Sequence, residues 1–135
     1  MDQLADEIVY RVRQEVKNPE RITAFTEFFG PQSFAGSHVL DDPKELRLFD
    51  VFLFKRGFLS PKKFVSSFGD LPQAAEVIYQ GNLSIQFIRD VQEGKYPVIE
   101  GVVAKGEDFS VKIKTKSYFD KLFNNFGENW KNYAE

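Results

Sequence analysis

The chain has no cysteine, and it has a single histidine, a single methionine and a single tryptophan in 135 residues. Without cysteine there is no disulfide, no thiolate metal centre and no cysteine nucleophile. A zinc centre resting on one imidazole, His38, would need acidic ligands for most of its coordination, and no histidine-based triad follows from it. The polar run Ser33-Phe34-Ala35-Gly36-Ser37 before His38 reads as a loop. No stretch approaches the ~20 apolar residues of a membrane span, and the N-terminus has no signal-peptide core. An intracellular, cytoplasmic protein with no membrane partner is expected. An excess of basic charge is missing too: 18 Lys and Arg face 20 Asp and Glu, with a net charge of −2. No global field draws this chain to nucleic acid, so any such affinity is local.

Phenylalanine, by contrast, is abundant, with 15 copies. One domain spanning 1–135 buries roughly two-thirds of its unfolded surface. Fifteen phenylalanines are hard to hide in so small a body, so some are expected to line a pocket or cover a surface that meets another segment. Basic residues gather in two groups, Lys55, Arg56, Lys62 and Lys63, and Lys112, Lys114, Lys116 and Lys121. Solvated surface turns are the alternative reading of the first group.

Periodicity predicts a helix over 2–17, with Leu4, Ile8, Val12 and Val16 at fourfold spacing and Asn18-Pro19 ending it. A strand follows over 21–29. Residues 46–54 are apolar on both faces, which predicts a buried central strand. Ser60-Pro61 opens a short turn, and helices are expected over 71–80 and 84–93, closed by Gly81 and Gly94. Strands are expected over 97–105 and 109–116, joined at Gly106-Glu107-Asp108. A last helix begins near Ser117 with Phe119, Leu122, Phe123 and Phe126 as its apolar stripe. The fold class is α+β, with antiparallel sheets flanked by helices.

The segment Glu100-Gly101-Val102-Val103-Ala104-Lys105-Gly106 sets a carboxylate beside a glycine in an apolar strand. After it, Phe109, Val111 and Ile113 alternate with Ser110, Lys112, Lys114 and Lys116. A lysine–phosphate contact at about 4 Å is worth roughly 4 kcal/mol before desolvation at an effective dielectric near 20. An edge strand that uses lysine against aggregation is the alternative. Strand alternation places Glu27 with Phe25 and Phe29, Asp50 with Leu48 and Phe52, and Glu100 with Val98 and Val102. Acidic residues are rare in strands, and an unpaired buried carboxylate costs several kcal/mol. Lys112 and Lys114, or a divalent cation, are the candidate partners. A strand-end carboxylate for Glu27, a backbone acceptor for Asp50 and a core ring for Phe49 stay open.

The segments Ala24-Phe25-Thr26-Glu27-Phe28-Phe29-Gly30, Leu48-Phe49-Asp50-Val51-Phe52, Glu100-Gly101-Val102-Val103 and Lys112-Ile113-Lys114-Thr115 resemble successive motifs of the ATP-dependent RNA ligases. These belong to the covalent nucleotidyltransferase superfamily, with DNA ligases and capping enzymes. The four occur in the family's order over about residues 24 to 116. The resemblance implies a partial ligase-like domain that binds ATP, or AMP, with Mg2+ and joins RNA 5′-phosphate to 3′-hydroxyl ends in RNA repair. It implies that Glu27 contacts the ribose, Phe49 stacks on adenine, Glu100 helps to hold Mg2+, and Lys112 and Lys114 neutralise the α-phosphate as catalytic groups. These side chains are expected to enclose one triphosphate-sized cleft.

The family's nucleophile is a lysine in a Lys-x-Asp-Gly or Lys-x-Asn-Gly setting, and no lysine here has that context. Lys55-Arg56-Gly57 comes nearest but has the wrong spacing and position. The expectation is an N-terminally incomplete domain, inactive alone, whose nucleophile lies on a missing upstream segment. Two other readings are a non-catalytic nucleotide- or RNA-binding module or partner subunit, and a capping-type guanylyltransferase preferring GTP.

Overall fold

The structure, a computed structural model, describes residues 2–30, 40–41 and 43–134. His38 and the polar run before it lie outside the described residues. The described chain forms two compact units, one of residues 2–30, 41 and 43–77 and one of residues 40 and 78–134. Both mix helices with antiparallel strands, so the α+β class holds. No helix among the described residues is long and apolar enough to cross a membrane.

In the first unit, α1 (Asp2–Glu15) lays Leu4, Ile8 and Val12, with Val16 just after it, against a three-stranded sheet. Its strands are β1 (Ile22–Phe29), β2 (Glu45–Leu53) and β3 (Gly57–Phe58), in the order β1-β2-β3. Leu48, Val51 and Leu53 of β2 fill the core with Phe64 and Phe68 of α2 (Pro61–Phe68). The central position expected for β2 is therefore observed. Ser60-Pro61 opens more than a short turn, because the Ser60 hydroxyl accepts from Lys63 N–H at 3.2 Å and Pro61 needs no N–H partner at the first helical position.

The helix predicted over 71–80 is absent. Pro72 disfavours helix at the residue before it, and β3 covers only the last two residues of β2 on that edge. The backbone of 73–75 satisfies the exposed edge instead: Leu48 N–H donates to Gln73 O at 2.7 Å and Ala75 N–H to Leu48 O at 2.8 Å. Unpaired backbone groups on a buried strand outweigh the helix propensity of Gln-Ala-Ala-Glu.

Arg11 ties α1 to the end of α2. Its guanidinium donates to Glu7 at 2.7 Å, to Ser67 O at 3.0 Å and to both carboxylate oxygens of Asp70. The hydrogen bond from Arg11 is the chief cause of an Asp70 pKa held below the ordinary carboxylate value.

In the second unit, α3 (Ile85–Gln92) is capped by Ser84, whose hydroxyl accepts from Phe87 N–H at 3.1 Å. Phe87 and Val91 pack on Ile113, Val102 and Ala104 of a hairpin made by β4 (Gly101–Lys105) and β5 (Ser110–Lys114). Both strands are shorter than predicted. Upstream, Val98 N–H closes a tight turn onto Tyr96 O around Pro97. Downstream, Thr115 leaves the strand to cap α4 (Lys116–Phe126), accepting from Tyr118 N–H at 3.0 Å. The apolar stripe of α4 is Tyr118, Leu122 and Phe126, continued by Trp130 of the 3-10 helix Gly127–Asn132, while Phe119 and Phe123 are exposed. The cap at Thr115 turns Tyr118 inward, one position before the predicted stripe.

Truncating the fully buried Leu48 to alanine is expected to cost about 2–5 kcal/mol, measured by urea denaturation with circular dichroism. Folding lowers the Asp70 pKa, so the unfolded chain takes up the proton first. The Arg11–Asp70 contribution is complete above the ordinary carboxylate pKa and is lost as pH falls through the lower folded value. Asp70→Asn is therefore expected to flatten the loss of stability between about pH 5 and pH 2, read as the shift in urea midpoint across that range.

Candidate functional site

Residues Glu27 and Phe49 lie in the first unit; Glu100, Lys112 and Lys114 lie in the second. In the first, the pairing of β1 with β2 runs Phe25↔Asp50 and then Thr26↔Leu48, which leaves Phe49 as the extra residue of a β-bulge. The bulge resets the alternation of β2. Leu48, Val51 and Leu53 face the core, so Asp50 shares its face with Phe52 and not with Leu48 as predicted. Directly opposed residues share a face, so Phe25 lies with Asp50, and Phe58 with Phe52. Glu27, two residues from Phe25 and opposite Arg47, belongs to that same face, where the Phe25 and Phe49 rings lie 6.4 Å apart.

The result is an aromatic surface with two carboxylates at its margin. Phe25 contacts Phe58 at 5.4 Å, Phe58 contacts Phe52 at 5.1 Å, and both Phe25 and Phe58 are exposed. Glu27 is exposed and opposite Arg47, whose guanidinium donates to Pro72 O at 2.8 Å. Asp50 accepts from Val51 N–H at 3.0 Å, so it acts as a backbone acceptor at the bulge. Exposed rings suit an aromatic base, and the exposed carboxylate of Glu27 suits hydroxyl donors.

On the hairpin of the second unit, Glu100 precedes β4 rather than lying within it, so the predicted face shared with Val98 and Val102 does not apply. Its carbonyl accepts from Thr115 N–H at 2.9 Å, and its carboxylate lies 3.6 Å from the Lys114 ammonium. Lys114 is largely buried, with its ammonium 4.4 Å from the centre of the Tyr118 ring. Lys112 points to the same side of β5, opposite Val103, and is exposed. The apolar side is buried at Ile113 only; Phe109 and Val111 remain exposed, because α3 packs no farther than Ile113, Val102 and Ala104.

Gly101 is explained by the hairpin itself. A Cβ there would stand 2.1 Å from Ile113 O and 2.9 Å from Lys114 Cα, and φ is +153°. The glycine lets β5 approach and so fixes where Lys114 meets Glu100. Thr115 and Tyr118, which the sequence reading passed over, complete the cluster. Thr115 is buried and donates its hydroxyl to Ile99 O at 2.9 Å. A threonine just before a helical apolar run is the N-cap signal that marks it.

Among the described residues no three acidic or imidazole side chains gather to hold a metal.

No family model, no curated protein and no solved structure matches this chain.

Gly101→Ala is expected to destabilise the second unit by more than about 1 kcal/mol. The sole tryptophan, Trp130, lies in that unit, and its fluorescence in urea reports the change.

Proposed function

We propose that this chain supplies nucleotide- and phosphate-binding parts of an ATP-dependent RNA ligase-type nucleotidyltransferase. The observation that supports this reading most is the bulge at Phe49, which brings its ring beside Phe25 on the same sheet face as Glu27. In this reading Phe49, with Phe25 beside it, stacks on adenine, and Glu27 accepts a hydrogen bond from a ribose hydroxyl. Lys112 and Lys114 neutralise charge at the α-phosphate, where negative charge develops during attack. Glu100 holds Lys114 in place and offers one oxygen ligand to Mg2+, which when bound screens the phosphate chain.

The attacking lysine has to come from elsewhere, because the sequence holds no Lys-x-Asp-Gly element. That same absence favours the second reading, a nucleotide- or RNA-binding module without chemistry of its own. The two readings separate by complementation. With labelled ATP, Mg2+ and an added N-terminal segment bearing Lys-x-Asp-Gly, an AMP adduct is expected on the added lysine, and Glu100→Ala or Lys112→Ala abolishes it. Binding without any rescued adduct supports the module. A stable covalent AMP adduct on this chain alone overturns the proposal as stated.

Phe49→Ala is expected to weaken ATP binding by about 5- to 150-fold, the range of one lost base–aromatic stack, measured by equilibrium dialysis.

A further inference from the structure

A separate concentration of charge surrounds the β2–β3 turn of the first unit. The turn Phe54-Lys55-Arg56 and the stretch Asn18–Arg21 enclose a hollow of about 260 Å3, to which Asn18, Glu20, Arg21, Phe54, Lys55 and Arg56 contribute. The sequence grouped Lys55 and Arg56 with Lys62 and Lys63. The structure divides that group: Lys62 and Lys63 lie on α2, with Lys63 paired to Glu15 at 2.8 Å, and Lys55 and Arg56 are joined by Arg21 from before β1.

The ring of Phe54 organises these cations. The Arg21 guanidinium lies 5.5 Å and the Lys55 ammonium 5.4 Å from its centroid, within cation–π range. The Phe54 N–H donates to Arg21 O at 3.0 Å, and Arg56 N–H closes the turn onto Leu53 O at 2.9 Å. Lys55 has φ +64° and Asn18 has φ +51°, the two non-glycine residues with positive φ among the described residues, and both line this hollow. A lysine in a position that glycine or asparagine occupies at lower cost is a local strain, and such strain concentrates at binding sites.

The charge here is unbalanced. Against Arg21, Lys55 and Arg56 the hollow offers one carboxylate, Glu20, 3.6 Å from Lys55, and both members of that pair are well exposed. Two guanidinium groups and an ammonium crowded about one hollow repel each other until an anion enters, and planar guanidinium forks match phosphate oxygens. The half-exposed Phe54 ring adds what a simple anion does not require, a flat apolar surface among cations. A basic groove with an aromatic platform is how single-stranded nucleic acid is held without base readout; a duplex presents phosphates but keeps its base faces stacked.

We propose that this hollow binds a phosphodiester of single-stranded RNA, with the phosphate on Arg21, Lys55 and Arg56 and an adjacent base against Phe54. The identity of the strand as RNA rests on the RNA-joining reading above; the phosphate site does not.

The test uses the full chain and a labelled RNA of about ten nucleotides, within the span one small basic groove accommodates, followed by fluorescence anisotropy over a salt series. The single strand is expected to bind more tightly than a duplex of the same sequence, and equally with a 5′-phosphate or a 5′-hydroxyl. Arg56→Gln, in an exposed turn, is expected to weaken single-strand binding, and Arg21→Gln with Arg56→Gln to weaken it further and to lower the salt slope by about 0.7, the share of one phosphate on a single strand. Phe54→Leu is expected to weaken single-strand binding while leaving the salt slope unchanged. Circular dichroism checks that each variant is folded, and ATP binding is measured on the same samples. RNA binding and slope indifferent to both arginines, equal affinity for duplex and single strand, dependence on the 5′-phosphate, or no RNA binding at low salt overturns the inference. Loss of ATP binding with the RNA results intact counts against the ligase reading alone; ATP binding retained with arginine-independent RNA binding counts against this inference alone.

Discussion

One unopposed residue in β2 governs the first unit. A regular strand would alternate Leu46, Leu48, Asp50 and Phe52 on one side. That arrangement would press a carboxylate into the core formed by α1 and α2. The bulge at Phe49 removes the conflict by one step of slippage, so Leu48 and Val51 are both fully buried while Asp50 faces away. The Asp50 carboxylate then accepts from Val51 N–H, giving that backbone donor a partner. Packing on one side of the sheet and the aromatic surface on the other thus have the same origin.

The second unit meets an analogous demand with a glycine and a threonine. Gly101 admits the backbone of β5 where any side chain would collide with Ile113 O. Thr115 then ends the strand, caps α4 and donates back to Ile99, so one buried hydroxyl joins the hairpin to the helix. Lys114 sits between these two fixed points, with Glu100 on one side and the Tyr118 ring on the other. Its ammonium is held by neighbours that are themselves held by backbone hydrogen bonds, whereas Lys112 stands exposed on the same side of the strand.

Much of the architecture was legible in the chain. The fourfold spacing of Leu4, Ile8, Val12 and Val16 predicted α1 and its buried side, and Ser84 at one end with Gly94 at the other predicted α3. The stretch 71–80 misled because its helix formers compete with an open strand edge, and the need of Leu48 for backbone partners is not visible locally. On α4 the predicted Leu122 and Phe126 pack inward, but Phe119 and Phe123 are exposed and Tyr118 takes the inward place at the helix start, because Phe119 is as apolar as Tyr118 and only the cap chooses between them. The slip in β2 is written in the apolar positions 46, 48, 51 and 53, but Phe49 and Phe52 conceal it by making both sides apolar.

By itself the sequence determined the α+β class, the ends of α1 and α3, the candidate carboxylates and lysines, and the absence of thiol chemistry, since these follow from composition and short-range periodicity. Tertiary structure alone decided which side of the sheet Phe49 and Asp50 occupy, that Gly101 serves the strand backbone, and that Arg21 joins Lys55 and Arg56 around one ring. Each of those outcomes depends on what lies across a strand pair or a turn. Hydrogen-bond register and steric exclusion between segments distant in sequence settle such matters, and neither is encoded in any single stretch of residues.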